Sequence, residues 1–484
     1  MRLNIITATS VLALGLASTA YAVDINQDGA KAIQQGLTRL LPPEAVRDGF
    51  VTVNPAGTRY EIIYDFARLL NSIDPASFAI SGLTPWSMFA TPQDSGLWKI
   101  DGDNSLDVSG HVKAADQSKT DFTYVIESLV YSGVFDTTIR YFRSGDFTTK
   151  GVRFSSKTDA EEVSASVDHS QYKLTSSNGA TAGRTNFAAS GRATAFVERI
   201  SGKQVPPVEI RADTIDFAAA VNGLPAKEIS DIVVFALEHA EDKTLRPAES
   251  EKLKATLRDA FPLLTSLSET IDLSNFTVSS EAGSGVAKEL TYEVSIDGPS
   301  NAMRLGVGLA AQQVSFDSPL VPAGYSAFVP EAMQVQFAVA NLDFAAFGEE
   351  FMKVDLTRSN ASDDAGQKAA EALFNGGDLV IDFPKISAVS SVYDAEVSGN
   401  IHGRIDSAKD YSMDASILAR DFDKTIAAVQ DLAKTNPDLN HVSFGLMMAK
   451  GFAKTEPDGR QRWDINVARS GAVTVNGQVI KGAD

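Results

Sequence analysis

The chain has 484 residues, a formal net charge of −19, 44% hydrophobic and 22% charged residues, an ordinary globular composition. It has no cysteine, which excludes disulfides, thiolate nucleophiles, iron–sulfur clusters and cysteine-held zinc. The acidic balance disfavours nucleic acid as a partner, because phosphate recognition draws on clustered Lys and Arg.

Residues 1–22 read as an export signal. Arg2 gives a short positive start, Ile5 to Leu16 is apolar, and Ala20-Tyr21-Ala22 fits the small-x-small rule for cleavage after Ala22. The apolar stretch is too short to span a bilayer, and no later segment is expected to be transmembrane. Ala30, Ile33, Leu37 and Leu40 then form a helical stripe. From Gly96 to Ser201 the pattern is strands and turns, with apolar runs around Trp98–Ile100, Phe122–Tyr131, Thr138–Phe142 and Val152–Phe154. Residues 23–205 are therefore expected to be a mostly β region. Gly202 and Pro206-Pro207 mark its end.

Residues 206–484 read as strand–helix–strand units. Ile229, Ile232, Val233 and Leu237 suggest one helix, and Leu253, Leu257, Phe261 and Leu264 another, with Pro247 near its start. Leu290, Tyr292, Val294 and Ile296 alternate with polar residues and stop at Asp297-Gly298-Pro299. Phe422, Ile426, Val429 and Leu432 make a further stripe that ends before Pro437. Turn signals stand at Asn178-Gly179, Pro457-Asp458-Gly459 and Asn476-Gly477.

Asp-Phe recurs where an apparent strand meets an apparent helix, as Asp65-Phe66, Asp216-Phe217, Asp343-Phe344 and Asp421-Phe422. Asp is a favoured N-cap, since its carboxylate accepts from the free first-turn amides. Phe can then pack back on the strand. The copies are irregularly spaced, so they are not a solenoid; they fit either a duplicated unit or chance recurrence, since Asp121-Phe122, Asp146-Phe147 and Asp382-Phe383 lie inside β patterns. The fold class expected is α+β: extended, curved antiparallel sheet with amphipathic helices packed on one face.

The chemistry in the sequence is sparse. His111, His169, His239, His402 and His441 show no metal-ligand spacing among themselves. Gly306-x-Gly308-x-x-Ala311 has the form of a dinucleotide fingerprint but lies in a β-like run, Met303–Phe316, with no following helix. Asp101-Gly102-Asp103-Asn104 reads as a turn between strands. Asp24-x-Asn26-x-Asp28-Gly29 has the first half of a calcium loop, but Gln35 stands where the bidentate acid belongs and Lys31 adds positive charge. The segment is read as a polar lead-in to a helix. No catalytic residue, cofactor or metal is expected.

Leu418-Ala-Arg-Asp-Phe-Asp-Lys-Thr-Ile-Ala-Ala, Phe444-Gly-Leu-Met-Met-Ala-Lys-Gly, Trp463-Asp-Ile-Asn-Val and Val473-Thr-Val-Asn-Gly resemble an uncharacterised family of Gram-negative periplasmic proteins, a domain of unknown function. More distantly the pattern is similar to AsmA-type envelope proteins. The resemblance implies a periplasmic location and, by analogy, a role near lipids or another envelope protein. The expected function is non-enzymatic: a sheet and helix groove that holds a lipid or acyl chain. The alternatives are an envelope module that binds a protein partner through strand edges, and a glycan or peptide hydrolase with acids gathered from separate strands.

Overall fold

The computed structural model describes residues 25–483 apart from 40, 42, 71–73, 115–117, 204–205, 240–241, 243 and 358–361. The expected signal segment, Asp24 and Leu40 lie outside the described residues. The described residues within Met1–Leu264 and Asp355–Ala361 cluster as one compact unit, and those within Thr265–Val354 and Ser362–Asp484 as a second. Residues 206–264, placed with the later region on sequence, thus cluster with the first unit.

In the first unit, helices α1 (Gln27–Thr38) and α2 (Pro43–Arg47) precede β1 (Val51–Ala56), β2 (Arg59–Tyr64) and the short α3 (Phe66–Leu70). β3 (Phe78–Ser81) and β4 (Trp86–Pro92) follow. Then come six long strands: β5 (Leu97–Lys113), β6 (Lys119–Asp136), β7 (Tyr141–Lys157), β8 (Glu161–Asn178), β9 (Thr185–Gly202) and β10 (Val208–Leu224). The order β1-β2-β4-β5-β6-β7-β8-β9-β10 is antiparallel throughout. β3 and β4 share one edge of β5, with β4 on Trp98–Asp101 and β3 on Ser109–Val112. At 17–18 residues, the long strands extend for about 55–60 Å. Helices α4 (Ala226–Glu238) and α5 (Pro247–Ala260) close the unit.

The second unit continues with β11 (Ser266–Ser280), β12 (Gly283–Asp297), β13 (Met303–Asp317) and β14 (Ala332–Leu342), then α6 (Phe344–Phe351) and α7 (Ser362–Leu373). β15 (Asp378–Val389), β16 (Asp394–Arg404) and β17 (Ser407–Arg420) lead to α8 (Phe422–Ala433) and α9 (Leu439–Phe452). β18 (Lys454–Thr455), β19 (Gln461–Val467), β20 (Val473–Val475) and β21 (Gln478–Lys481) finish the chain. Neighbours from β11 to β17 pair in sequence order, then β17-β19-β20-β21, all antiparallel. The protein is thus mostly antiparallel sheet, with a smaller helical share.

The helical insertions come in pairs. β14 and β15 are adjacent strands joined through α6 and α7, and β17 and β19 are adjacent strands joined through α8 and α9. Three of the four Asp-Phe pairs stand at the strand-to-helix junctions expected. Asp343 caps α6, its side chain accepting from Ala346 N at 2.8 Å. Phe66 packs on Tyr64 of the strand just left, with ring centroids 6.2 Å apart. Phe422 meets Trp463 of the returning strand at 5.0 Å. Asp421 takes a left-handed conformation (φ 49°) and makes no side-chain cap bond. The fourth expectation is corrected. Asp216-Phe217 lies inside β10, where Asp216 faces Arg192 of β9, and cross-strand pairing overrides the local helix-start signal.

Two further local expectations are also corrected, a turn at Asp101–Asn104 and a strand that starts at Thr138. Asp101–Asn104 runs straight through β5: Asp101 meets Arg59 at 3.4 Å, and the bare backbone of Gly102 makes room for the Tyr131 ring. Thr138–Arg140 is the β6–β7 turn and not strand. The stripe Leu253, Leu257, Phe261 and Leu264 overruns its helix, which ends at Ala260 with Phe261 already extended before Pro262, but the turn signals at Asn178-Gly179, Pro457-Asp458-Gly459 and Asn476-Gly477 hold their places. Asn476-Gly477, both at positive φ, links β20 to β21. Gly306 and Gly308 lie in β13. Helix α9 had no counterpart in the sequence reading, because its mixed apolar run has no single stripe.

Candidate functional site

In the second unit, alternation along most strands gives the sheet an apolar face. Across it, residues directly opposite one another form rows. One row is Ile271, Tyr292, Leu309, Val335, Ile386, Val397, Ile417 and Trp463. A second is Leu267, Ile296, Leu305, Val339, Ile381, Ile401, Met413, Val467 and Val473. Nine strands at ~4.8 Å spacing make that row about 38 Å wide. The intervening positions are polar or small, such as Thr270, Thr291, Glu293, Gly306 and Gly308.

These rows are not a closed core. Leu305, Val307 and Leu309 are 38%, 44% and 41% exposed in the middle of the sheet, and their neighbours Tyr292 and Phe337 are 39% and 45% exposed. An apolar surface that continuous is uncommon without a ligand or partner to cover it. Burial returns where α8 and α9 join the sheet, at Trp463, Ile426 and Val429. There Trp463 Nε1 donates to Ala449 O of α9 at 2.7 Å.

The first unit repeats the design with aromatic residues. Gly102, Tyr131, Phe147, Tyr172, Gly191 and Phe217 lie opposite one another across β5 to β10. Tyr131 and Phe147 stack at 6.2 Å. The rings of Tyr131 and Tyr172 lie over Gly102 and Gly191, where an added Cβ would sit 2.4 and 2.2 Å from them. Burial pushes the Tyr131 phenol above its ordinary value, so it stays neutral. The other face carries cross-strand ion pairs: Lys157–Glu162 at 2.9 Å, Arg192–Asp216 at 2.6 Å and Arg199–Glu209 at 2.7 Å. The cation of each pair is largely exposed, and such pairs contribute little stability. They keep that face in water.

A single row separates two phases of this pattern. In β6, the apolar positions are Phe122, Tyr124 and Ile126 before it and Leu129, Tyr131 and Phe135 after it, a shift of one residue. β7 to β10 change phase at the matching points, a row that runs through Glu127, Gly151, Asp168, Ala195 and Asp213 by the register on either side. Gly151 and Ala195 are left-handed there, with φ of 60° and 54°. A left-handed residue breaks the two-residue alternation of a strand. The backbone break coincides with the sequence break and keeps the apolar residues on one face.

The residues singled out on sequence do not assemble into a catalytic centre. Asn26 is the N-cap of α1, its Oδ1 accepting from Gly29 N at 2.9 Å, and Asp28 lies in the first helical turn. Helix begins at Gln27, so the chain does not wrap as a calcium loop does. His239 meets Asp242 at 2.7 Å, and with Glu249 these are the one metal-type group of three among the described residues. The sequence reading missed it because Glu249 enters from the next helix. Its oxygens are already taken: the Arg246 guanidinium holds Oε1 and the Arg246 amide holds Oε2, which lowers the Glu249 carboxyl to about 2. The group is a helix-start ion network in this state. No helix of the described residues is long and apolar enough to cross a membrane. No family model, curated protein or solved structure matches the chain.

Proposed function

We propose that the protein is a non-enzymatic binder of extended apolar ligands, lipid or acyl chains laid against its apolar sheet faces, in the periplasm. The observation that carries this reading is the exposed run Leu305, Val307 and Leu309 on a central strand, flanked by Tyr292 and Phe337. A central strand of a folded sheet normally buries such a row. Helices α8 and α9 meet the row at Trp463, whereas Leu305, Val307 and Leu309 in its middle stay exposed. An acyl chain fits this surface because contact with it needs no hydrogen bonds and only apolar area.

The test is native mass spectrometry of gently purified protein, followed by titration with a fluorescent fatty acid. The expected result is co-purified lipid and saturable binding, weakened about tenfold or more by a Val307→Asp, Phe337→Asp double variant, since a carboxylate in the contact must be desolvated. Protein that carries no lipid and binds no fatty acid overturns the reading.

A further inference from the structure

A cavity of ≈ 480 Å³ lies inside the first unit, among α4, α5, the residue that follows α1 and the β6–β7 turn. Ile232, Phe235 and Leu253 supply apolar wall, and Arg39, Arg140 and Lys252 bring positive charge to it. The volume falls in the range of about 300–1,000 Å³ usual for small-molecule sites.

The charges there do not cancel. Both oxygens of Asp231 are taken, by Arg140 at 2.5 Å and by Lys227 at 2.8 Å. Burial works against its ionised form, but those two bonds outweigh it and hold the carboxyl below its ordinary range. Glu238 touches Arg39 only at 3.7 Å, with both side chains largely exposed. Lys252 ion-pairs with no described residue. Three cations, Arg39, Arg140 and Lys252, thus line the cavity against two carboxylates, Asp231 and Glu238, in a chain of net charge −19. Local positive charge beside an apolar wall, in so acidic a protein, attracts a complementary anion.

We propose that this cavity binds a small anionic amphiphile, its carboxylate or phosphate head held by Lys252 and Arg39 and its tail against Ile232, Phe235 and Leu253. The site is separate from the sheet faces, and the proposal does not rest on their reading. Cationic side chains beside a partly dry wall make charge-assisted bonds stronger than they would be in open water.

Calorimetric titration of the full chain tests it. The probes are dodecanoate, dodecyl phosphate, dodecanol and inorganic phosphate. Either or both of the two amphiphilic anions should bind saturably, and which head is preferred identifies the ligand class. Dodecanol and inorganic phosphate should each bind at least about tenfold more weakly, because each lacks one half of the recognition. Lys252→Glu with Arg39→Glu, both on exposed side chains, should weaken the amphiphilic anions about tenfold by turning attraction into repulsion, and should leave far-UV dichroism and the melting midpoint unchanged. Thr256→Trp, which fills the cavity, should do the same without a charge change. Val307→Asp, on the second unit's sheet, should leave this binding intact. Equal affinity for dodecanol, equal affinity for inorganic phosphate, or indifference to the Lys252 and Arg39 variants overturns the proposal.

Discussion

One strand of this protein passes through two environments. At the end of β6, Phe135 is 1% exposed, and its partner Trp98 on β5 is 2% exposed. They belong to a closed core with Ile33 and Leu37 of α1, Tyr60 and Ile62 of β2, and Phe142 of β7. Earlier on β6, Phe122, Tyr124 and Ile126 have the same alternation, yet none is buried. Their ring neighbours are other strand residues, Phe78 and Phe154. The second unit is open in the same way along β12 to β14. The alternation of apolar residues therefore builds a two-faced sheet, and whether a stretch becomes core depends on what is laid on it.

Truncation should separate the two environments most strongly. Trp98→Ala should cost about 3–5 kcal/mol, the range for large side chains lost from a packed core. Leu309→Ala should cost about 1 kcal/mol or less, because the side chain is already 41% exposed. Urea denaturation measures both. Equal costs would mean that the open face is covered in solution and acts as core.

The phase-shift row gives a second measurement, with opposite signs at two positions. Gly151→Ala should destabilise by about 1–2 kcal/mol, since a Cβ at positive φ is strained and would also press on the Glu127 side chain. Ala195→Gly should be neutral or stabilise by up to about 1 kcal/mol by relieving the same strain. If melting midpoints move the other way, the left-handed residues do not hold the row.

The smallest expected effect concerns the helix that closes the core. Asn26→Ala removes the cap of α1 and should cost about 1 kcal/mol. Hydrogen exchange should then quicken at the start of α1 while the amides of β13 stay unchanged. A change spread over both units would refute the local character of that closure.

Much of the local structure was legible. Alternation at Leu290–Ile296 predicts β12, and Asn476-Gly477 predicts a hairpin, because both signals act within a few residues. Asp343 was readable as a cap for the same reason. Local reading failed at Asp216-Phe217 and Asp101–Asn104, where a run of cross-strand bonds outweighed the turn and cap preferences of single residues. The stripes of α1 and α8 were legible in phase, since Ala30, Ile33 and Leu37, and Ile426 and Val429, are buried; that of α4 was legible in kind only, because α4 buries Val234 and Phe235, whereas the sequence pattern pointed to Ile229, Ile232, Val233 and Leu237. The apolar rows of the candidate site were beyond sequence reading, because each joins residues of eight or nine strands whose register only pairing defines.

Composition and alternation alone thus settle the chemical character of this molecule: cysteine-free, acidic, rich in strands with one greasy and one wet side. Folding alone settles which greasy sides meet a helix and which face outward, and which cations gather at one cavity. The division follows from range. Alternation and capping act between residues close along the chain, whereas coverage and charge excess depend on groups brought together from positions more than two hundred residues apart, such as Arg39 and Lys252.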